Sequence, residues 1–244
     1  MRLSGTVVLV SGGTRGMGEA MARGIVALGG RVVLGGRDEE AGRRIASEIG
    51  EEAAYVRLDV ARREDWEAMV ELAEQRFGSV TALINNAGLG IPARIVDMDR
   101  DTFDAMIAVN QWGVLLGMQA VIPGMRKAGT GSIVNIGSAA ALRGHSGVSA
   151  YSGTKAAVVG MSLAAAAELA KYGIRVNVVH PGYFDTRLLD ESSRGMGRTM
   201  GAERTPLGRV AQPEEIVGAI AMLISEGGRF ITGAQLTVDG GLTM

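Results

Sequence analysis

The sequence predicts one α/β domain spanning residues 1–244, built on a doubly wound parallel sheet of about seven strands with helices on both faces. Three observations carry that expectation. Short runs of almost continuous apolar residues recur along the chain, helical stretches separate them, and no linker or low-complexity break interrupts the alternation over 244 residues. The runs at 7–10, 32–34, 55–58, 82–84, 133–136 and 176–179 are apolar on both faces, as strands covered by helices on both sides must be. Between them, Ala41, Ile45 and Ile49 repeat every four residues, and Trp66, Met69, Val70, Ala73 and Phe77 mark one helical face. Parallel neighbours need crossover helices, so this order implies a wound sheet rather than a meander. A late helix is expected from near Pro213, and a last strand through Leu236 and Val238. The stretch 156–170 is apolar on almost every side. The sheet can cover only one side, so a second copy of the chain, or else the chain's own loops, should cover the other.

Composition narrows the function classes. An apolar content of 47% allows a core that needs no metal or disulfide, and the absence of cysteine removes thiolate nucleophiles and cysteine-ligated metals. That absence suits a reducing compartment, and a cytoplasmic protein is expected. Formal charge is −1 with both signs interspersed, which argues against nucleic-acid or anionic-membrane partners. Arg2 precedes an apolar stretch at 6–10 that is too short for a signal peptide. No run approaches the roughly 18 apolar residues of a membrane span.

The first strand runs directly into SGGTRGMG, with Gly12, Gly16 and Gly18 where the chain leaves a strand and opens a helix. Glycine there lets phosphate oxygens approach amide N–H groups, and the helix N-terminus favours a pyrophosphate. A dinucleotide is the expected ligand. The second strand ends in Gly35 and Gly36, followed by Arg37, where an NAD site usually places a carboxylate for the ribose hydroxyls. A guanidinium suits a 2′-phosphate, and Arg15 could add a second charge, so NADP(H) is favoured over NAD(H). Asp38 is the counter-argument, since a shift of one or two residues would restore a carboxylate. Asp59, after the third strand, is placed either to meet the adenine amino group or to cap a turn. Asn85-Asn86-Ala87-Gly88 ends the fourth strand, outside which ligands lie in such sheets; Asn85 could instead knit strands together.

Tyr151 and Lys155 lie four apart in YSGTK, on one face if helical. Carbonyl reduction needs a proton donor at oxygen, and a free phenol with a pKa near 10 is a reluctant base in reverse. A lysine ammonium at ~4 Å and an effective dielectric of ~20 would favour the phenolate by about 4 kcal/mol. Ser138, just after SIVNIG, could orient the substrate oxygen and stabilise developing charge. Asn110, in AVNQWG, could bend its helix and hold a water that relays protons to Lys155. With only His145 and His180 present, no metal cluster is expected.

Together these motifs resemble the short-chain dehydrogenase/reductases over essentially the whole chain. SGGTRGMG, LDV with Asp59, NNAG, Asn110, Ser138, YSGTK, Pro181-Gly182 with Thr186, and VDGG at 238–241 all agree with that family. The resemblance implies a Rossmann-type sheet ordered 3-2-1-4-5-6-7, a homotetramer, and a catalytic set of Asn110, Ser138, Tyr151 and Lys155. It extends the coenzyme set to Thr14, Met17, Val60, Ala87, Gly88, Gly182 and Phe184, beside Pro181, Asn86 and both catalytic helix residues, with Thr186 meeting the nicotinamide carboxamide. Within the family the chain resembles ketoacyl-carrier-protein reductases and 3α/20β-hydroxysteroid dehydrogenases. The latter typically carry an acid where this chain has Gly36, which counts against an NAD-linked steroid role. The expected reaction is hydride exchange between NADP(H) and a ketone or secondary alcohol. A non-catalytic dinucleotide sensor, or an epimerase or dehydratase, are the alternatives.

Residues 183–204 are expected to form a mobile substrate lid, with Met196 and Met200 as an adaptable wall. Residues 139–148 form the opposite wall, whose small side chains leave room for an alicyclic ketone. Ser138, Ala140, Tyr151 and Tyr183 are the expected substrate contacts. Arg194 and Arg198 could meet an anionic carrier, though solvation is the plainer role.

Overall fold

The computed structural model describes residues 1–193 and 195–244. One seven-stranded, all-parallel sheet has the order β3-β2-β1-β4-β5-β6-β7. Its strands are β1 (Val7–Ser11), β2 (Arg31–Gly36), β3 (Ala53–Arg57), β4 (Ala82–Asn85), β5 (Gly131–Ile136), β6 (Ile174–Pro181) and β7 (Gln235–Val238). Side chains alternate across each strand. Val7, Leu9, Val33, Leu83, Ile133 and Val176 therefore enter one core, and Val8, Val10, Val32, Leu34, Ile84, Val134 and Val179 the other. Helices α3 (Arg63–Phe77), α5 (Gly113–Ala128) and α6 (Ser149–Leu169) cover the first face; α1 (Gly16–Ala27), α2 (Glu39–Ile49) and α9 (Val217–Ile224) cover the second.

Three expectations change. The third strand starts at Ala53 and ends at Arg57, so Leu58 lies outside it. The Leu58 side chain instead packs over Gly35, where an added Cβ would stand 2.6 Å from its Cδ2. The late helix begins as a 3₁₀ turn, Pro213–Ile216, closed by a capping box between Gln212 and Glu215. Finally, the run from Arg100 to Ala128 is long and apolar enough to span a membrane by length and composition. It escaped notice because Asn110, Gln111 and Gln119 interrupt its apolar residues. In the fold it is α4 (Arg100–Ile107), a π turn (Ala108–Trp112) and α5, and it buries Met106, Val114, Leu116 and Met118.

Helix α6 is only half covered. Thr154, Lys155, Val158, Ser162, Ala166 and Leu169 face the core. Gly153, Ala156, Gly160, Ala164 and Ala167 lie exposed, with Leu163 at 41% exposure, so the chain's own loops leave that face open.

Candidate functional site: a cleft at the carboxyl ends of the strands

A cleft of about 550 Å³ opens outside the carboxyl ends of the strands, running from the glycine turn to the lid. Its coenzyme half is shaped by backbone. Gly12 has φ +64°, and a Cβ there would stand 2.9 Å from Ala87 Cα; one on Gly18 would overlap the Gly12 carbonyl oxygen. The Asn86 amide fixes this approach by donating to the Ser11 and Gly12 carbonyls at 3.0 and 3.1 Å. The Ser11 hydroxyl oxygen in turn accepts from the N–H groups of Asn86 and Ala87 at 3.0 and 3.1 Å. Ser11 was not singled out in the sequence; its place immediately before the glycine turn was the available signal. No side chain caps the N-terminus of α1, so its first amides remain free for an anion. This cradle fits a pyrophosphate.

At the end of β2, a Cβ on Gly36 would stand 2.7 Å from Thr14 Cγ2, so the strand has no room for an acid unless Thr14 moves. Asp38 caps α2, its Oδ1 accepting from Ala41 N–H at 3.0 Å. Arg15 and Arg37 both line the cleft and have no carboxylate partner among the described residues. Asp59 takes the turn role, its Oδ1 accepting from Ala61 N–H at 3.0 Å, and it also lines the cleft. Asn85 is a knitting residue. Its amide donates to Asn135 Oδ1 at 2.8 Å, and Asn135 donates to the Ser162 hydroxyl at 2.8 Å, tying β4, β5 and α6 together.

Gly16, Met17, Val60, Gly88, Pro181, Gly182, Phe184 and Thr186 also border the cleft. Phe184 and Met17 do so with much of their surface in the core. The lid crosses the glycine turn here, since a Cβ on Gly16 would meet Thr186 Cγ2 at 3.2 Å.

In the other half, Ser138, Tyr151 and Lys155 share one wall. Ser138 caps a 3₁₀ turn (Ala139–Ala141), with Oγ accepting from Ala140 N–H at 3.1 Å. Burial pushes the Tyr151 phenol above its ordinary pKa, and a hydrogen bond with Ser138 pulls the other way. The lysine amine makes its own hydrogen bond to backbone. The Lys155 amine lies 6.0 Å from the Tyr151 ring centre and donates to the Ile136 carbonyl at 2.8 Å. Desolvation, which opposes any charge, pushes its pKa down to about 8. The hydroxyl partner of the phenol is therefore Ser138, and Lys155 is a buried, easily neutralised amine.

Asn110 sits on the π turn, fully buried. Its Oδ1 accepts from Leu89 N–H at 2.8 Å, and its amide donates to the Leu89 carbonyl at 2.8 Å and to Thr154 Oγ1 at 2.9 Å. Thr154 then donates to the Tyr151 carbonyl at 2.8 Å. Asn110 thus locks the segment after NNAG to the start of α6, leaving one lone pair of Oδ1 for a water. Both N–H groups are committed to the protein, so the expected relay can use this oxygen alone.

His180 is a residue that the sequence reading weighed only as a metal ligand. It is fully buried in β6, with Nδ1 3.3 Å from Ser138 N and 3.0 Å from Ser138 O, and Nε2 3.3 Å from Gln235 Oε1. It backs the serine.

The lid holds two helices, α7 (Arg187–Ser193) and α8 (Gly197–Arg204). Ala140, Tyr183, His145 and Met200 line the cleft. Met196 does not; it is 57% exposed at the start of α8. Arg198 is not free for an anionic carrier, because it pairs with Asp185 at 2.6 Å and Asp190 at 3.1 Å. Arg194 lies outside the described residues.

A family profile described as enoyl-(acyl carrier protein) reductase matches residues 12–243. The chain belongs to the short-chain dehydrogenase/reductase family, NAD(P)-dependent oxidoreductases acting on CH–OH and C=O groups. It is 40% identical over 240 residues to a 3-alpha-(or 20-beta)-hydroxysteroid dehydrogenase of Mycobacterium tuberculosis, covering 98% of this chain and 90% of that protein. It is 39% identical to a trans-4-hydroxycyclohexanecarboxylate dehydrogenase of Sinomonas cyclohexanicum, covering 99% and 94%. The crystal structure of a 3-ketoacyl-(acyl-carrier-protein) reductase from Brucella melitensis, complexed with NADH, superimposes with a TM-score of 0.94 at 35% identity, covering 99% of this chain and all of that one.

Proposed function

We propose that this chain is an NADP(H)-dependent oxidoreductase that interconverts an alicyclic ketone and its secondary alcohol, and that it works as a cytoplasmic homotetramer. The observation that carries the reading is the single cleft wall shared by the Ser138 hydroxyl, the Tyr151 phenol and the buried Lys155 amine.

Gly12, Gly16 and Gly18 with the open end of α1 would hold the pyrophosphate, and Arg15 and Arg37 a 2′-phosphate. Lys155, Pro181, Gly182 and Thr186 border the nicotinamide end. When bound, the coenzyme supplies or accepts the hydride. Ser138 donates a hydrogen bond to the substrate oxygen and holds it beside Tyr151. In reduction the phenol gives its proton to that oxygen as negative charge develops there; a high ground-state pKa keeps it protonated for this role. In oxidation it must take the proton back. The nearby Lys155 amine, with a pKa of about 8, then exchanges protons near neutral pH without a large penalty. Asn110 keeps the start of α6 in register with the loop after Gly88.

The missing acid at Gly36, the capping role of Asp38 and the two unpaired guanidiniums support NADP(H) over NAD(H). The small residues of 139–148 and the ring-bearing substrates named for the two curated relatives support an alicyclic substrate. The exposed apolar face of α6 supports assembly. The lack of cysteine supports a reducing compartment.

Tyr151→Phe tests the assignment. It should abolish NADPH oxidation driven by a panel of neutral alicyclic ketones while leaving NADPH affinity within about twofold. Retained turnover would remove Tyr151 from the mechanism, and a wild-type protein that reduces no ketone in the panel would overturn the reading itself.

A further inference from the structure

Among the described residues, the lid's arginines are paired with one exception. Arg187 pairs with Glu191 at 2.5 Å, Arg198 with Asp185 and Asp190, and Arg209, just beyond α8, with Glu215 at 2.7 Å. Arg204, the last residue of α8 and part of the cleft lining, has no carboxylate within 4 Å among the described residues. Its Nη1 donates instead to the Tyr183 hydroxyl at 3.4 Å, and Tyr183 also lines the cleft. Glu203 forms no ion pair with it, since adjacent helical residues do not face each other.

A second cation beside the opposite wall has no carboxylate within 4 Å among the described residues. Arg143 follows the 3₁₀ turn capped by Ser138, and its backbone N–H bonds to the Ala139 carbonyl at 2.9 Å. Its guanidinium Nη1 donates to the Leu242 carbonyl at 2.8 Å, and Leu242 is itself a lining residue. Each guanidinium is thus tethered to the cleft through a neutral oxygen, one from the lid and one from the serine loop, with donors to spare. His145 lines the cleft with Arg204, while Arg143 reaches its edge through the bond to Leu242. The His145 pKa is lowered by burial first and then by the charges of Arg204 and Arg143, which places both cations in its surroundings. The acidic cleft residues are committed or remote: Glu191 is held by Arg187, while Asp38 and Asp59 belong to the coenzyme half.

We propose that Arg143, His145 and Arg204 form an anion-binding rim, and that the substrate is a ketone or secondary alcohol bearing a carboxylate away from the reacting carbon. The inference rests on the oxidoreductase reading of the same cleft. Guanidiniums left with open N–H donors at a cleft mouth match a carboxylate in both charge and fork geometry. In the same cleft Val148, Leu188 and Met200 supply apolar lining for the carbon skeleton.

The test measures inhibition of NADPH-dependent reduction of the best neutral ketone from the alicyclic panel. Cyclohexanecarboxylate should inhibit competitively with an inhibition constant at least tenfold below that of the isosteric cyclohexanecarboxamide. The ratio should shrink toward one in the Arg143→Ala/Arg204→Ala double variant, with the amide as internal reference. In wild type it should also fall between 20 and 300 mM salt. Ketone turnover with equal inhibition by acid and amide would overturn the rim while leaving the oxidoreductase reading intact. Discrimination that survives the double substitution would likewise overturn it. Absence of any ketone turnover would overturn the underlying reading.

Discussion

The two halves of the cleft are specified in different ways. In the coenzyme half, Gly12, Gly18 and Gly36 stand where a single Cβ would strike backbone or a buried side chain, and Asn86 and Ser11 lock the arrangement with four hydrogen bonds. In the substrate half, the lid is held largely by exposed ion pairs such as Arg198–Asp185 and Arg187–Glu191. Packed backbone has no way to yield, whereas exposed ion pairs are weak and interchangeable. Substitutions should therefore be costly in the first half and mild in the second.

Gly18→Ala is the harshest test. The added methyl overlaps the Gly12 carbonyl, and relief requires shifting the turn proposed to hold the pyrophosphate. Overpacking of this kind costs roughly 1–3 kcal/mol or more, and the coenzyme dissociation constant should rise by at least about tenfold. Fluorescence titration with NADPH reads it directly. An unchanged constant would mean that the turn is compliant and that the contrast is misjudged.

Next comes Gly36→Asp. Because Thr14 occupies the space beside Gly36, the single substitution should weaken NADPH binding without gaining NADH. Adding Thr14→Ala should make room and turn the preference toward NADH, measured as the ratio of kcat/KM for the two coenzymes. If the single variant alone already prefers NADH, Thr14 is no obstacle.

This division also explains what could be read from the sequence. The wound sheet and the glycine turn were legible because strands buried on both faces read as continuous apolar runs and backbone crowding restricts residue type at the turn, while the strand order came from the family resemblance. Tyr151, Lys155 and Ser138 stood out because their spacing follows α6 and the end of β5. The hydrogen-bond partners did not. Only the folded chain shows that the Lys155 amine turns to the Ile136 carbonyl and that Ser138 partners the phenol. His180 was invisible for a similar reason: its neighbours Ser138 and Gln235 are 42 and 55 residues away. The fate of Arg198 was hidden too, since a basic residue in a loop carries no sign of the acids it will meet.

His180 lies between the two regimes, a buried support in the substrate half. At Nδ1 a neutral ring meets Ser138, accepting from its N–H at 3.3 Å or donating to its carbonyl at 3.0 Å according to the tautomer, and Nε2 faces Gln235 Oε1 at 3.3 Å. Burial, chiefly, and the Lys155 charge push its pKa below 6.5, outweighing the partners at Ser138 and Gln235 that raise it. Below pH 6.5 the unfolded chain then binds the proton more readily than the folded one, so folding stability falls as pH drops through that range. His180→Asn, whose side-chain oxygen can still accept from Ser138, should lose less stability between pH 6.5 and 5, read from urea midpoints. His180→Leu, which leaves Ser138 N–H unpaired, should lower kcat several-fold with little change in the KM for NADPH. A parallel fall in both parameters would assign His180 to general packing instead.

The mildest change should be Arg198→Ala. It deletes the ion pairs with Asp185 and Asp190 that join α8 to the start of the lid. Exposed pairs contribute about 0.2–1 kcal/mol, so the melting temperature should drop by no more than about 2–4 °C. Because Arg198 lies outside the cleft lining, the KM for ketone should move less than about twofold and NADPH affinity not at all. High salt should reproduce part of the effect in the wild type, since at 1 M the Debye length falls to about 3 Å, the length of these pairs. A large loss of turnover on this one substitution would show that the lid is rigidly specified, and the difference between the two halves would then lie in their chemistry and not in their tolerance.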